Sequence, residues 1–206
     1  MLSKRLKAIV SLVETNEIID IGCDHALIDI YLTNKGYNCT AIDNKETVLI
    51  NTRENIKKNN LQNKIKVICS NGLDNYKANG KETVIIAGMG TNTILEILKN
   101  KEFKKINTLI IQSNNDLYEL RKNICKIGYY IDKEITIYDK KYYNIIRFKK
   151  GIKKYNYFNY YIGLSNNKEY YKYLYDKIYK TYKNIPNKNM IKKLKYKILL
   201  IKLKTE

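Results

Sequence analysis

Short apolar runs alternate with longer segments of mixed polarity through the first 150 residues of the chain. Runs of this length, rich in Ile, Val and Thr, are typical of buried strands, and the amphipathic segments between them are typical of helices. The pattern predicts strands at 17–21, 38–42, 65–69, 83–87 and 108–112. Helices are predicted at 26–35, 45–59, 93–98 and 117–126.

Two further β-like runs follow at 130–138 and 142–148, separated only by residues 139–141. Their close spacing predicts an antiparallel hairpin at the end of the sheet. Strands that alternate with helices favour an α/β fold, in which a doubly wound sheet carries helices on both faces. In such a sheet the ligand binds at the carboxyl ends of the strands, near the point where the strand order reverses.

After residue 150 the pattern changes to a helical periodicity. The segments 167–183 and 188–204 are separated by 184–187, which contains the single proline, and they predict a helical hairpin. The aromatic stretch 155–161 is compatible with more than one conformation. The residues that recur at helical spacing are Tyr171, Leu174, Tyr175, Ile178 and Tyr179 in the first helix, and Ile191, Leu194, Ile198 and Ile201 in the second.

The charge distribution changes at the same place. The 206 residues carry a formal net charge of +19, of which +8 lies in 1–150 and +11 in 151–206. The second segment also holds 11 of the 20 tyrosines. An excess of lysine favours a polyanionic partner, because lysine neutralises phosphates and releases their counterions. We therefore predict one domain over 1–150 and a basic, tyrosine-rich helical domain over 151–206. A helical hairpin whose tyrosines are simply core residues would give the same pattern.

Several classes of protein are not expected. No apolar run approaches the roughly 18 residues that cross a bilayer, and the first residues lack the long apolar region of a signal peptide. The pattern predicts a cytoplasmic protein with no membrane partner and no metal. The cysteines show no CxxC spacing, so a zinc site or a disulfide framework is not expected; they are Cys23, Cys39, Cys69 and Cys125.

The segment DIGCDH, at 20–25, ends the first predicted strand. An acid followed two positions later by glycine lets the backbone turn tightly beneath a nucleotide-like ligand. The glycines are too few to cradle a pyrophosphate, which favours a cationic ligand without phosphates, such as S-adenosylmethionine. An ordinary strand-to-helix turn with Asp as the helix cap explains the segment equally well.

Polar or glycine-containing clusters also follow the other four strands. Asp43 ends the second strand 23 residues after Asp20, where an acid can accept both hydroxyls of a ribose, although a lone Asp there is more often a helix cap. The remaining clusters are SNGL at 70–73, AGMG at 87–90 and QSN at 112–114. The carboxyl ends of parallel strands meet at one edge of a sheet, so all five clusters are expected on one rim.

His25 is the only histidine of the chain. The side chains of adjacent residues diverge, so Cys23 and Asp24 are poorly placed to join it on a metal ion. A Ser-His-Asp hydrolase is not expected either, because there is no G-x-S-x-G segment.

Four of these segments resemble the bacterial tRNA (adenine-22, N1)-methyltransferase family, known as TrmK. The resemblance covers roughly residues 1–150 and extends to the tail only by architecture. It implies a Rossmann-like class I methyltransferase domain that uses S-adenosylmethionine, and a small C-terminal helical domain that helps to hold tRNA. The matching segments are DIGCDH at 20–25, NGL at 71–73, IAGMG at 86–90 and YYNII at 142–146.

The resemblance also implies roles for individual residues. The methionine end of the cofactor would meet Asp20 and Gly22, the ribose Asp43, and the adenine Asn71 and Gly72. Gly88 would line the cofactor site where it meets the target base. The substrate contacts expected are His25, Met89 and Tyr143.

Adenine N1 has a free lone pair and no proton, so its methylation needs no strong base. Catalysis should depend on positioning. Positive charge develops on the ring as N1 gains the methyl group, and a nearby carboxylate would stabilise it. We expect Asp24 to do this and Asn114 to orient the base.

The chain departs from the family pattern at Asn71, Thr91 and Ser113, where Asp, Gly and Pro are usual. Ser113 is expected to leave the loop before Asn114 less rigid. Two other functions stay open: a methyltransferase acting on another RNA base or a non-RNA substrate, and a non-catalytic, basic RNA-binding module. A monomer is expected.

Overall fold

All seven predicted strands are present in the computed structural model, which describes residues 2–205. Residues 1 and 206, the outer limits of the two predicted domains, lie outside the described residues. Several strands are one to three residues longer than predicted, most often at their carboxyl ends. The strands are β1 (Glu17–Ile21), β2 (Asn38–Asp43), β3 (Ile65–Cys69), β4 (Glu82–Met89), β5 (Thr108–Ser113), β6 (Tyr129–Asp139) and β7 (Lys141–Lys150).

The strands form a single sheet in the order β3-β2-β1-β4-β5-β7-β6. The first five are parallel, whereas β7 runs antiparallel to both β5 and β6. The predicted hairpin therefore closes one edge of the sheet. The chain crosses from β3 back to β4, which pairs with β1 on the side opposite β2, so the strand order reverses between β1 and β4. A crevice for ligands is expected there.

Helices cover both faces of the sheet, as predicted. Alternate residues of β1 point to opposite faces, so Ile18 belongs to one buried cluster and Ile19 to the other. The first cluster packs against α1 (Lys4–Val10), α2 (Leu27–Thr33) and α3 (Glu46–Lys58), and the second against α4 (Thr91–Ile97) and α5 (Leu117–Lys126). The α/β fold is confirmed.

Two short elements before the C-terminal segment were not predicted. Helix α1 begins after Ser3, whose side chain accepts a hydrogen bond from the backbone N–H of Leu6 and so caps the first turn. A single 3₁₀ turn covers Lys101–Lys104 before β5. Of the two, α1 is the one that bears on function, because it reaches the carboxyl edge of the sheet.

The C-terminal segment contains α6 (Tyr157–Ile162), α7 (Lys168–Lys183) and α8 (Met190–Thr205), and α7 and α8 form the predicted hairpin. The apolar face of α8 differs from the expected one. Leu199, Leu200 and Leu203 are buried against α7, together with Tyr170, Tyr171 and Ile178 of that helix. The residues that define the helical spacing in the sequence lie on the exposed face instead: Ile191, Leu194, Ile198 and Ile201.

A buried ion pair joins this segment to the sheet. Arg121 of α5 donates through Nη2 and Nε to Glu134 of β6, at 2.5 and 3.2 Å, and both side chains are fully buried. Arg121 Nη1 also donates to the carbonyl of Tyr160 at 2.8 Å, and the N–H of Leu164 donates to Glu134 at 3.0 Å. No helix within 2–205 is long and apolar enough to span a membrane.

Candidate functional site

A cavity of about 660 Å³ opens at the carboxyl ends of β1 to β4, where the strand order reverses. Its size is that of a typical site for a small organic ligand. The cavity brings together nine of the eleven residues selected from the sequence. They are Asp20, Gly22, Asp24, His25, Asp43, Asn71, Gly72, Gly88 and Met89.

The turn after β1 forms the floor of the cavity. Gly22 has φ +79°, and its N–H donates to the carbonyl of Ile42 at 2.8 Å, so the backbone turns sharply beside β2. A Cβ atom at this position would lie 2.3 Å from Cε of Met89. The positive φ favours glycine here, and a larger side chain would also displace the end of Met89. Met89 therefore covers the same turn that is expected to meet the cofactor.

Asp24 and His25 stand at the mouth of the cavity, and their side chains are 77% and 56% exposed. Two side chains of α3 hold their backbone: Thr52 donates to the carbonyl of Asp24, and Asn55 Nδ2 donates to the carbonyl of His25 at 2.6 Å. Asp24 adopts φ +47°, a left-handed conformation that non-glycine residues seldom use. The loop is thus fixed while both side chains stay exposed, with His25 Nε2 3.8 Å from Asp24 Oδ1.

Asp43 lies at the carboxyl end of β2 on the cavity wall. Its Oδ1 accepts a hydrogen bond from the backbone N–H of Lys45 at 2.9 Å. Lys45 itself occupies the N-cap position of α3. Asp43 therefore closes a turn and does not cap the helix, and its carboxylate faces the cavity. Asn71 and Gly72 follow β3 on the same wall, where Asn71 is exposed and Gly72 is buried.

Two predicted residues, Asn114 and Tyr143, do not line the cavity. The side-chain amide of Asn114 is engaged on both sides, because Nδ2 donates to the carbonyl of Gly88 at 2.7 Å and Oδ1 accepts from Gln112 Nε2 at 3.2 Å. Asn114 thus holds the end of β4 against β5. The ring of Tyr143 lies behind the cavity wall, 5.7 Å from the guanidinium carbon of Arg5.

Arg5 is the main residue of the cavity that the sequence did not reveal. It projects from α1 into the cavity, and its Nη1 donates to Gln112 Oε1 at 2.8 Å. The sequence contains one signal that could have pointed to Arg5: only four of the 39 basic residues are arginine. The other three are Arg53, Arg121 and Arg147, and each forms an ion pair with a carboxylate.

Thr91 and Ser113, the two residues that differ from the family pattern in this region, are in contact in the structure. Their hydroxyl oxygens are 2.9 Å apart, and both hydroxyls also donate to the carbonyl of Asn115, at 2.7 and 3.0 Å. Ser113 is buried at the end of β5. We expected Ser113 to leave the loop before Asn114 less rigid than a proline would. These hydrogen bonds restrain the loop instead.

The cavity wall is acidic within a basic protein. Burial raises the pKa of Asp20 to about 7, and the negative charge of Asp43 adds to this, whereas hydrogen bonding from Asp29 and the positive charge of Arg5 oppose it. The ionisable side chains on the wall include Asp20, Asp24, Asp43 and Glu96, against Arg5 and Lys45. Such a wall favours a ligand that carries positive charge. Over residues 2–205, no group of three His, Cys, Asp or Glu side chains is arranged to hold a metal ion.

Comparison with known proteins agrees with this geometry. The family described as a methyltransferase domain matches residues 2–146. The chain is 32% identical to M. capricolum TrmK, whose structure contains the cofactor product S-adenosylhomocysteine; the match covers 100% of this chain and 97% of that one, with a TM-score of 0.83. The chain belongs to the TrmK family of methyltransferases. The resemblance carried by the four sequence segments is confirmed.

Two other relatives match about three quarters of the chain. A Mycoplasma genitalium protein assigned as a tRNA methyltransferase is 29% identical over 160 residues, which are 74% of this chain and 72% of the relative. The tRNA (adenine(22)-N(1))-methyltransferase of Bacillus subtilis is 29% identical over 156 residues, which are 73% of this chain and 66% of that protein. This member of the TrmK family is thus similar in sequence to proteins named for tRNA modification.

Proposed function

We propose that the protein transfers a methyl group from S-adenosylmethionine to N1 of adenine 22 in tRNA. The observation that carries this proposal is the acidic cavity at the reversal of strand order, with Asp20 and Asp43 at the ends of adjacent strands. Membership of the TrmK family over the full chain supports the choice of reaction and substrate. The relative from Bacillus subtilis is named for this activity.

The residues present fit S-adenosylmethionine. The cavity wall carries the carboxyl groups of Asp20, Asp24 and Asp43, and an acidic wall of this kind suits the positive charge of this cofactor. Asp20 and Gly22 would hold its methionine end, with Arg5 placed to meet the carboxylate. Asp43 would accept the ribose hydroxyls. Asn71, Gly72 and Gly88 would line the rest of the site.

When bound, S-adenosylmethionine supplies a methyl group on a sulfonium, which the lone pair of adenine N1 accepts without prior deprotonation. The protein then needs to hold the base in place and to stabilise the charge that develops on it. Asp24 stands at the mouth of the cavity with an exposed carboxylate suited to that charge. His25 and Met89 would contact the base. Asn114 acts through Gly88, because its amide holds the carbonyl of that residue.

The tRNA would lie across the mouth of the cavity and the C-terminal helices. Tyr118, in the first turn of α5, forms an aromatic cluster with Tyr157 and Tyr161, whose ring centroids lie 5.5 and 6.1 Å from its own. A base in a stem must leave its stack before it can react, and aromatic rings offer surfaces for unstacked bases. The segment after residue 150, with a net charge of +11, would bind the surrounding phosphates. We propose this division into two domains, and a monomer as the active form.

Nucleoside mapping tests the product. The protein is incubated with S-adenosylmethionine and unmodified tRNA, and the RNA is then digested and analysed by mass spectrometry. We expect N1-methyladenosine at position 22, and no methylation of a control tRNA in which A22 is replaced by guanosine. Methylation of guanine, cytosine or adenine N6 would overturn the proposed product while leaving the family unchanged.

Calorimetry separates the remaining possibilities. A methyltransferase for a non-RNA substrate would bind S-adenosylmethionine and ignore tRNA. A non-catalytic RNA-binding module would bind tRNA and not the cofactor. The proposed enzyme binds both.

A further inference from the structure

Asp29 is a buried acid in the first turn of α2, directly behind the cofactor site. Its side chain is fully buried, and its carboxyl lies against the carboxyl of Asp20, which is itself 4% exposed. No donor of another residue within 2–205 hydrogen-bonds to either oxygen of Asp29. A buried carboxylate in this state is costly, because it has lost its hydration and gained no partner from another residue.

A proton on one of the two acids removes the repulsion between them. Two carboxylates in contact repel each other, whereas a protonated carboxyl donates a hydrogen bond to an ionised one. Burial and the neighbouring charge of Asp20 raise the pKa of Asp29 well above its usual range. Asp29 is therefore the partner that keeps its proton, and Asp20, with a pKa of about 7, is the partner that ionises near neutral pH.

The charges of the surrounding groups do not compensate two ionised carboxylates. Arg5 is the cation that acts on Asp20, and Asp43 is the further anion. Burial raises the pKa of both neighbouring thiols, which stay uncharged at neutral pH. The titratable and charged groups that face the pair are Arg5 from α1, Cys23 from the turn after β1, and Cys39 and Asp43 from β2.

We propose that Asp29 is a positioning residue for the cofactor, which holds a proton and donates it in a hydrogen bond to Asp20, so that Asp20 presents an ionised carboxylate to the cationic ligand. This inference rests on the proposed function. When S-adenosylmethionine binds to the form in which both acids are protonated, the O–H bond of Asp20 breaks and its proton passes to the solvent. Asp29 keeps its own proton throughout.

Proton release distinguishes this role from a structural one. S-adenosylmethionine is titrated into the full-length protein by calorimetry between pH 6 and 8.5, in two buffers of different ionisation enthalpy. For the wild type we expect affinity to rise with pH up to about 7, by at most tenfold per pH unit, because one proton is released for each ligand bound. The number of protons released falls toward zero above pH 8.

Substitutions at Asp29 supply the second readout. Asp29→Asn keeps a donor, so its affinity should stay close to that of the wild type and proton release should persist. Asp29→Ala removes the donor, so affinity at pH 7 should fall about tenfold, and the rise with pH should move to higher pH. Thr33→Val, one turn along the same helix at another buried polar side chain, is the matched control and should behave as the wild type.

The possible results separate the role of Asp29 from the proposed function. Wild-type affinity and pH profile in Asp29→Ala, or the absence of proton release from the wild type, would overturn the role of Asp29 and leave the proposed function standing. Loss of affinity in Asp29→Asn equal to that in Asp29→Ala would show that an ionised Asp29 is needed, which also overturns it. Failure of the wild type to bind S-adenosylmethionine at any pH would overturn both proposals.

Discussion

Asp43 offers a direct test of where the cofactor lies, because its carboxylate faces the cavity from the end of β2. Asp43→Ala removes the proposed acceptor of the ribose hydroxyls. We expect the binding free energy of S-adenosylmethionine to weaken by about 1.5–3 kcal/mol, the usual contribution of hydrogen bonds to a charged group. Calorimetry measures this loss. Glu54→Ala, exposed on α3, changes the net charge equally, and an equal loss there would contradict the assignment.

Asp24 is tested by the rate of methyl transfer. Its φ of +47° is tolerated by Asp and Asn better than by Ala, so Asp24→Asn removes the charge without adding backbone strain. We expect single-turnover transfer to tRNA to slow by roughly tenfold or more, because the carboxylate that offsets the developing charge is lost. Cofactor affinity should stay nearly unchanged. An unaltered rate would remove Asp24 from the reaction.

The buried acids predict an unusual dependence of stability on pH. The pKa of Asp20 is about 7 in the folded protein and lies near 3.8 when the chain is unfolded. Between these values the folded state binds more protons, so the free energy of unfolding decreases as pH rises from about 4 to 7. For Asp20 this cost reaches about 4 kcal/mol above pH 7.

Asp29→Asn isolates the contribution of the second acid. It removes a group whose pKa is raised well above its usual range, so the variant should be more stable than the wild type, and the difference should grow from pH 5 to pH 8. Thermal denaturation of the ligand-free protein at both pH values measures the difference. A difference that shrinks with rising pH would show that Asp29 is ionised in the folded protein.

At the scale of helices and strands, the sequence predicts the positions of the strands better than it predicts which face of each helix is buried. Strands such as β1 and β5 are short, apolar and bounded by glycine or polar residues, so local pattern and buried position agree. The clusters that follow them meet on one rim because the strands are parallel. This geometric rule is why nine of the eleven predicted site residues line one cavity.

The remaining features depend on tertiary contacts that a local pattern does not contain. Helix α1 has seven residues, too few for a clear periodicity, and Arg5 was missed with it. The face of α8 was assigned wrongly because that helix is apolar on two sides, and only packing against α7 selects Leu199 and Leu203. Asp29 gave one signal, an acid between Ile28 and Ile30 in an apolar helix, whose meaning depends on the neighbouring Asp20.

The ion pair between α5 and β6 shows how closely the C-terminal segment is joined to the sheet. Glu134→Gln leaves the buried charge of Arg121 without a counter-charge. We expect the free energy of unfolding to fall by about 3–5 kcal/mol, or roughly 6–20 °C in Tm. Glu54→Gln is the exposed control and should have little effect. A Tm unchanged in Glu134→Gln would mean that the contacts with Tyr160 and Leu164 hold the segment without the ion pair.

In the whole molecule, an acidic cavity and a basic surface match the opposite charges of the two proposed ligands, the cofactor and tRNA. The cavity wall is acidic and suits a cationic cofactor, while the chain as a whole has a net charge of +19 and suits RNA. The positive charge is densest beyond residue 150, where the first helix of the hairpin presents exposed lysines. Long-range attraction depends on total charge, whereas phosphate contacts depend on where the lysines lie. The two effects can therefore be separated by variants of equal charge.

Two triple variants make this separation. One replaces Lys172, Lys180 and Lys183, which share a face of α7 by their helical spacing, with Gln. The other replaces three exposed lysines beyond the far edge of the sheet, Lys57, Lys58 and Lys64. Both lose three positive charges, so a general effect of charge is the same in each.

We expect the α7 variant to bind tRNA more weakly, with a slope of log affinity against log salt that is shallower by roughly one unit or more, because each phosphate contact contributes about 0.7–0.9 to that slope. The variant at the far edge should keep the wild-type slope. Cofactor affinity should be the same in both, because the cavity lies on neither surface. Equal loss in the two variants would mean that tRNA responds to total charge, and that the C-terminal hairpin stabilises the fold without binding the substrate.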